Sequence, residues 1–320
     1  MKRRTLLAGS LALPFAAEAQ QWPSRSIRLI VPYAPGATGD IGGRLYGDEL
    51  GKAIGQTVVI DNKTGAGGTI ATAEIARAAP DGHTLGVMAQ GTLVYNMGLY
   101  KTPGYDPFKD LVVLSINFSV ANILIVHPSN PAKTVADVVA QAKAKNGEYT
   151  YASGGIGTSH HMSGVLLELR SGVKMTHVPY RATPAGIQAV VNGEVSMGMF
   201  NVPTVVGLIK AGKLKALAVT GERRSELFPD LPTMKESGFN DFVVDTWLGF
   251  CAPAGLPQPL VTRLNAEFNR ITDLPEMRKK FVEQGMSAWP PRTPAEALKY
   301  VHDDSAFWLP IIKQSGATAE

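Results

Sequence analysis

The sequence predicts an α/β protein of two doubly wound lobes, each a sheet with helices on both faces. Short β-branched runs alternate with loops and helix-periodic stretches along most of the chain. The runs are continuously apolar rather than alternating, as in parallel strands covered on both sides. A length of 320 residues, 45% hydrophobic and 18% charged, suits two domains of about 100–200 residues each.

In chain order, residues 27–31 form a first strand, ended by Pro32 and a loop rich in Pro and Gly. Ile41, Leu45, Leu50 and Ile54 then keep helical spacing, with Gly51 and Gly55 near the stop. Residues 57–60 make a second strand, punctuated by the Gly-rich stretch from Asp61 to Gly68. A helix over 70–79 closes at Pro80-Asp81-Gly82, and 84–88 is a third strand. The middle repeats this logic, with strands at 122–126, 149–152, 176–178, 196–200 and 214–220. Helices between them run over 134–145, 160–169, 183–191 and 205–210. A strand at 245–252 is broken by Pro253-Ala254-Gly255, and helices follow over 259–271, 276–285 and 294–314. The strands at 122–126 and 247–252 each leave one run of βα units and enter another, so the first domain is discontinuous.

The N-terminus reads as an address. Lys2-Arg3-Arg4, an apolar run from Thr5 to Ala17 and the Ala17-Glu18-Ala19 site describe a secretory signal peptide over residues 1–19. Its apolar core is too short to span a bilayer. Arg3-Arg4 leaves the twin-arginine route open beside the general one. Removing residues 1–19 leaves 28 basic and 26 acidic residues, a charge of +2 instead of +4. No basic run with interleaved aromatics remains, which argues against a nucleic-acid partner. Cys251 is the only cysteine, so disulfide staples are excluded; it reads as a small buried apolar side chain.

Three small-residue loops sit between a strand and a helix: Pro32 to Asp40, Ala89 to Thr92, and Gly154 to His161. Glycine lets backbone approach a ligand, and the following helix start offers free N–H groups and a partial positive charge. At the carboxyl ends of strands in an open sheet, such loops suit a small carboxylate. The same loops need Gly, Thr and Asp for turns and caps in any case, and Asp40 reads as a cap. No Gly-Lys-Ser/Thr completes a P-loop, and Gly65 to Gly68 is not a dinucleotide fingerprint, so no nucleotide cofactor is expected. His160 and His161 are adjacent and diverge on a helix, whereas zinc pairs favour i, i+4, so no metal is expected. Ser153 or Ser159 with a histidine and a distant Asp would mimic a hydrolase triad, but no Gly-x-Ser-x-Gly elbow is present.

Across the mature chain the sequence resembles the Bug receptors, the substrate-binding proteins of tripartite tricarboxylate transporters. The resemblance is carried by Trp22 to Gly36, Asn62 to Gly68, Ala78 to Gly82, Tyr105-Asp106-Pro107, His177 to Tyr180, Lys210 to Leu214 and Ala252 to Gly255. It implies a two-lobed periplasmic binding protein fold of type II that closes over a ligand. On this mapping lobe one is 22–121 plus 253–320, lobe two is 127–246, and the strands at 122–126 and 247–252 are the hinge. The resemblance also implies that Tyr33, Ala34, Ala37, Thr38, Gly155, Thr158, Ser159 and His161 hold a ligand carboxylate. A wider set adds Gly91, Thr92 and Asn201.

Two departures from the family pattern bear on specificity. The first loop reads Pro35-Gly36-Ala37-Thr38-Gly39-Asp40, where Pro-Gly-Gly-x-Thr-Asp is usual, and Phe200 stands where an acid is usual. Loss of that charge suits a second ligand carboxylate or an apolar ring, though Phe200 also reads as a core residue. Arg181 reads as a solvated loop arginine or as the partner of a distal carboxylate, and Trp247 as a cleft or hinge residue. The expected function is an exported, monomeric, non-enzymatic receptor for a small carboxylate, chiefly a dicarboxylate, aromatic ones included, serving membrane permease subunits. An orphan sensory receptor and an exported α/β hydrolase are the alternatives.

Overall fold

The computed structural model describes residues 22–319; the expected signal peptide at 1–19 lies outside them. The chain begins with β1 (Ile27–Val31), α1 (Thr38–Ile54), β2 (Val58–Asn62), α2 (Thr69–Arg77) and β3 (Thr84–Ala89). A π turn at Gly91–Tyr95 leads into the single-turn α3 (Asn96–Leu99), and a long β4 (Leu111–Val126) follows. Next come α4 (Val135–Lys145), β5 (Thr150–Ser153), α5 (Ser159–Ser171), β6 (Thr176–Pro179) and α6 (Thr183–Val191). Then β7 (Met197–Asn201), α7 (Val202–Lys210) and β8 (Lys215–Val219) precede β9 (Asp245–Pro253). The chain closes with α8 (Gln258–Asp273), α9 (Pro275–Gln284), the short β10 (Ser287–Ala288) and α10 (Pro294–Ser315).

Among the described residues the strands join in one ten-stranded sheet, in the order β2-β1-β3-β9-β4-β7-β5-β6, with β8 and β10 also on β4. Both flanks are parallel, as expected: β2-β1-β3 on one side and β6-β5-β7 on the other. The centre is antiparallel, which corrects the expectation of a largely parallel sheet. A chain that passes from one half to the other and returns must run its two crossing segments in opposite directions.

β4 serves both halves. Its residues Leu111 to Ala121 pair with β9, whereas Asn122 to Ile125 pair with β7 and Ile123 to Val126 with β8. Residues 247–252 lie inside β9 and pair with β3 and β4. The return path runs through Thr220, whose N–H donates to Asn122 O at 2.8 Å, while Val244 N–H donates to Thr220 O at 2.9 Å.

The first half of β4 was not anticipated. Ser115, Asn117 and Ser119 interrupt its apolar run, yet all three are buried. Hydrogen bonds satisfy them: Ser115 Oγ donates to Asn117 Oδ1 on the same strand, while Asn117 Nδ2 reaches Thr272 Oγ1 and Ser119 Oγ reaches Asp245 Oδ2, both far along the chain. Buried polar groups so paired cost little.

Apolar side chains fill both faces of the sheet. Against α1, α8 and α9, Tyr46, Phe118, Phe250, Phe268 and Phe281 form an aromatic cluster, with Phe250 and Phe268 stacked at 4.0 Å. In the second half, Ile123, Ile125, Val190, Phe200 and Val205 pack between the sheet and α6–α7. Helix starts are set locally: Thr134 with Asp137, and Thr293 with Glu296, form capping boxes for α4 and α10. No helix among the described residues is long and apolar enough to cross a membrane.

Candidate functional site

Two connected spaces lie where the halves meet. The inner one is a chamber of about 30 Å³ lined by Tyr33, Ala37, Thr38, Gly39, Gly91, Thr158, Ser159, His160, Thr183, Asn201 and Thr246, with Ala89 and Leu248. The outer one is a cleft of about 550 Å³ that shares Tyr33, Thr158 and Thr183 with it. Its other walls include Ala34, Thr64 to Gly68, Tyr100, Gly155, Ile156 and Pro179 to Ala182.

Two helices begin at the inner chamber. The N-cap of α1 is Ala37, which has no side chain to cap with, and the N-cap of α5 is Thr158, which accepts from His161 N–H. The amides of Thr38, Gly39, Ser159 and His160 have no hydrogen-bond partner among the described residues. Four free N–H groups and two positive helix ends therefore face one small space. Ala37, like the glycine usual at this position, carries no side-chain group that could cap α1.

Asn201 knits this space together. Its Oδ1 accepts from Thr38 Oγ1 at 3.1 Å and from His160 Nε2 at 3.1 Å. Its Nδ2 donates to Asn122 Oδ1 at 2.6 Å and to Ser159 Oγ at 3.4 Å. His160 Nδ1 accepts the Gly154 N–H at 3.3 Å, which places the ring proton on Nε2. Burial holds this imidazole neutral by lowering its pKa to about 4. Thr246 Oγ1 is buried and has no hydrogen-bond partner among the described residues. Tyr33 is pushed well above the usual phenol range by burial alone.

The cleft is shut around the chamber. A Cβ on Gly91 would lie 2.6 Å from Gly157 O, and one on Gly67 would lie 2.4 Å from Ile156 O. Each glycine thus lets backbone from one half reach backbone of the other. Asp40 sits beneath the first loop rather than in the chamber. Its burial raises the carboxyl pKa, but Arg44, the Gly36 N–H and Asn62 outweigh that and hold it below the usual range.

Of the residues expected to bind, Tyr33, Ala37, Thr38, Gly91, Thr158, Ser159 and Asn201 line the inner chamber, and Ala34 and Gly155 line the outer cleft. Thr92 and His161 line neither. Thr92 Oγ1 donates to Ala89 O at 3.0 Å and closes the turn after β3. His161 stacks on His177 at 4.2 Å, about 100° round α5 from His160. Residues not anticipated are His160, Thr183 and Thr246 inside and Tyr100 and Tyr180 outside. Which of two adjacent histidines faces the cleft depends on the starting residue of α5, and no local signal marks Thr246.

Phe200 is fully buried in the core, its ring 4.8 Å from that of His160. Trp247 is fully buried and donates its Nε1–H to Asp304 Oδ2 at 2.8 Å. Arg181 is exposed on the outer wall. Burial pushes the Cys251 thiol up to about 12, so it is inert. Among the described residues no cluster of three His, Cys, Asp or Glu could hold a metal ion.

A sheet shared by two lobes, shut over a small chamber at two helix starts, defines a two-lobed solute-binding protein. Residues 43–317 match the tripartite tricarboxylate transporter family receptor, and the chain belongs to that family. Protein BugT of Bordetella pertussis is 31% identical over 314 residues, 98% of this chain and 95% of that protein. An R. palustris protein solved with adipate superposes with a TM-score of 0.89 at 31% identity, covering 93% of this chain and 99% of that one. MatC from Rhodopseudomonas palustris, solved with bound malate, gives a TM-score of 0.86 at 31% identity, covering 91% and 100%.

Proposed function

We propose that the protein is exported to the periplasm and binds one carboxylate of a small acid, a dicarboxylate in the first instance, in the inner chamber. It passes this ligand, as a monomer, to the membrane permease subunits of a tripartite tricarboxylate-type transporter. The observation that carries the reading is the meeting of four free helix-start amides at one buried, uncharged chamber. Removing a carboxylate from water costs several kcal/mol, and charge-assisted hydrogen bonds of about 1.5–3 kcal/mol each offset it. Thr38, Ser159 and Thr246 add hydroxyls at the same place. The adipate and malate held by the two similar proteins support the same class of ligand.

Non-enzymatic binding fits the side chains present. Ser153 Oγ lies 2.7 Å from His177 Nε2, the geometry of a nucleophile and base. No carboxylate joins that pair among the described residues, and neither residue lines the inner chamber or the outer cleft. Burial lowers His177 to about 4.

The lobes are best divided where the pairing of β4 changes, between Ala121 and Asn122, with the return crossing between Thr220 and Asp245. Closure about these two points removes the ligand from water and creates the surface that the permease reads.

The test is thermal melting of refolded, ligand-stripped mature protein with a panel of carboxylates. At about 1,000-fold above Kd, linkage gives about 4 kcal/mol of stabilisation and a midpoint raised by several degrees. Thr158→Ala, read against its own ligand-free baseline, diminishes the shift. A panel without any shift overturns the reading.

A further inference from the structure

We infer that Arg181 holds a second, outer anionic group of the ligand and selects acids with two charged ends over acids with one. This rests on the reading of the inner chamber as a carboxylate site. The inner chamber, about 30 Å³ against about 550 Å³ for the outer cleft, takes a compact head group and not a whole ligand. The rest of any ligand therefore extends past Tyr33, Thr158 and Thr183 into the outer cleft, whose 550 Å³ is the size of an ordinary small-molecule site.

Within both spaces Arg181 is the only charged side chain among the described lining residues. It follows β6 on a segment fixed by the Tyr180 N–H bond to Ser153 O, at 3.1 Å, and by the start of α6 at Thr183. Arg25, Arg28, Arg44, Arg224, Arg270 and Arg278 each face a carboxylate at 3.1 Å or less. Arg181 makes no ion pair or hydrogen bond with any described residue. An unpaired guanidinium on the wall of a cleft otherwise lined by Gly, Ala, Pro, Thr, Tyr and Ile supplies one strong and directional anion contact. The inner end is read by neutral donors that any carboxylate satisfies, so discrimination falls to the outer end.

Adipate and hexanoate separate the two ends, since they share a six-carbon chain and differ by one carboxylate. Titration calorimetry on stripped protein is expected to show adipate about 10- to 100-fold tighter, the worth of one charge-assisted pair. Arg181→Gln removes most of that preference, changing adipate far more than hexanoate, and Arg181→Lys restores part of it. Raised salt weakens adipate more than hexanoate in the native protein and equally in Arg181→Gln. Adipate and hexanoate binding alike in the native protein, or Arg181→Gln leaving their ratio unchanged, overturns the role of Arg181 while the inner carboxylate site stands. A native protein that binds no acid of either class overturns both.

Discussion

Thr38 Oγ1, at the first residue of α1, donates to Asn201 Oδ1 at 3.1 Å, at the last residue of β7. The bond spans the cleft and ties the two halves directly. A buried hydrogen bond of this kind contributes about 1 kcal/mol net, so its loss shifts an open–closed equilibrium about fivefold. Thr38→Val keeps the shape and removes the donor, while His160 still satisfies Asn201 Oδ1. Ligand-free Thr38→Val is expected to scatter X-rays with a larger radius of gyration than the native protein. An identical radius would show that this bond does not set the balance.

Gly91 makes a cleaner test of closure. Its φ is not in the left-handed region, so its backbone accepts alanine, yet the added Cβ would sit 2.6 Å from Gly157 O across the cleft. Gly157 and Gly67 have φ of +82° and +60°, so substitution there strains the backbone as well. Gly91→Ala is therefore expected to lower carboxylate affinity at least tenfold with a denaturation midpoint near native. A large fall in stability at unchanged affinity would reverse the assignment.

Much of the fold is legible in the sequence because its signals are local. Ile27 to Val31 is an apolar run that ends at a proline, and Thr134 and Thr293 each stand three residues before an acid that completes a capping box. The first half of β4 is not legible, since Ser115, Asn117 and Ser119 look like loop residues until Thr272 and Asp245 are brought to them. The site divides in the same way. The loops around Thr38 and Thr158 announce themselves by glycine and by the helix that follows. Thr246 is one more residue of an apolar strand, and only the crossing of β9 beside β4 carries it to the chamber. Arg181 gains meaning from the uncharged walls opposite it.

Asp304 links the end of the chain to the site. Its Oδ2 accepts from Trp247 Nε1 and from Gln90 Nε2, each at 2.8 Å, and Gln90 Oε1 accepts from Tyr95 Oη–H. Burial pushes this carboxyl above the usual range, and the Trp247 and Gln90 hydrogen bonds offset part of that. Asp304→Ala strands two buried donors, at about 1–3 kcal/mol each. The expected loss is about 2–4 kcal/mol in urea unfolding, with weaker ligand binding because Gln90 precedes Gly91. Asp304→Asn retains a carbonyl acceptor and is expected to lose less than half as much; equal losses would point to packing instead.

Three histidines give stability a pH dependence of defined sign. Burial lowers His160 from 6.5 to about 4 and His177 to about 4, and burial with the neighbouring His177 lowers His161 to about 3. Above about pH 7.5 all three are essentially neutral in both folded and unfolded chains, so they add no slope. Below it the unfolded chain takes up protons that the folded one refuses, and stability falls until the folded pKa is reached near 4. For His160 alone the fall between about pH 7.5 and about pH 5.0 is on the order of 2 kcal/mol. Asp245 and Asp304, held above the usual carboxylate range by burial, oppose the trend at its acid end. A variant comparison isolates the histidine. His160→Gln keeps an N–H donor toward Asn201 but cannot titrate, so its urea-unfolding stability should fall less steeply with acid than that of the native protein, by about one proton. Parallel curves for the two proteins would mean that His160 is as easily protonated folded as unfolded, and that the chamber admits more water than its burial indicates.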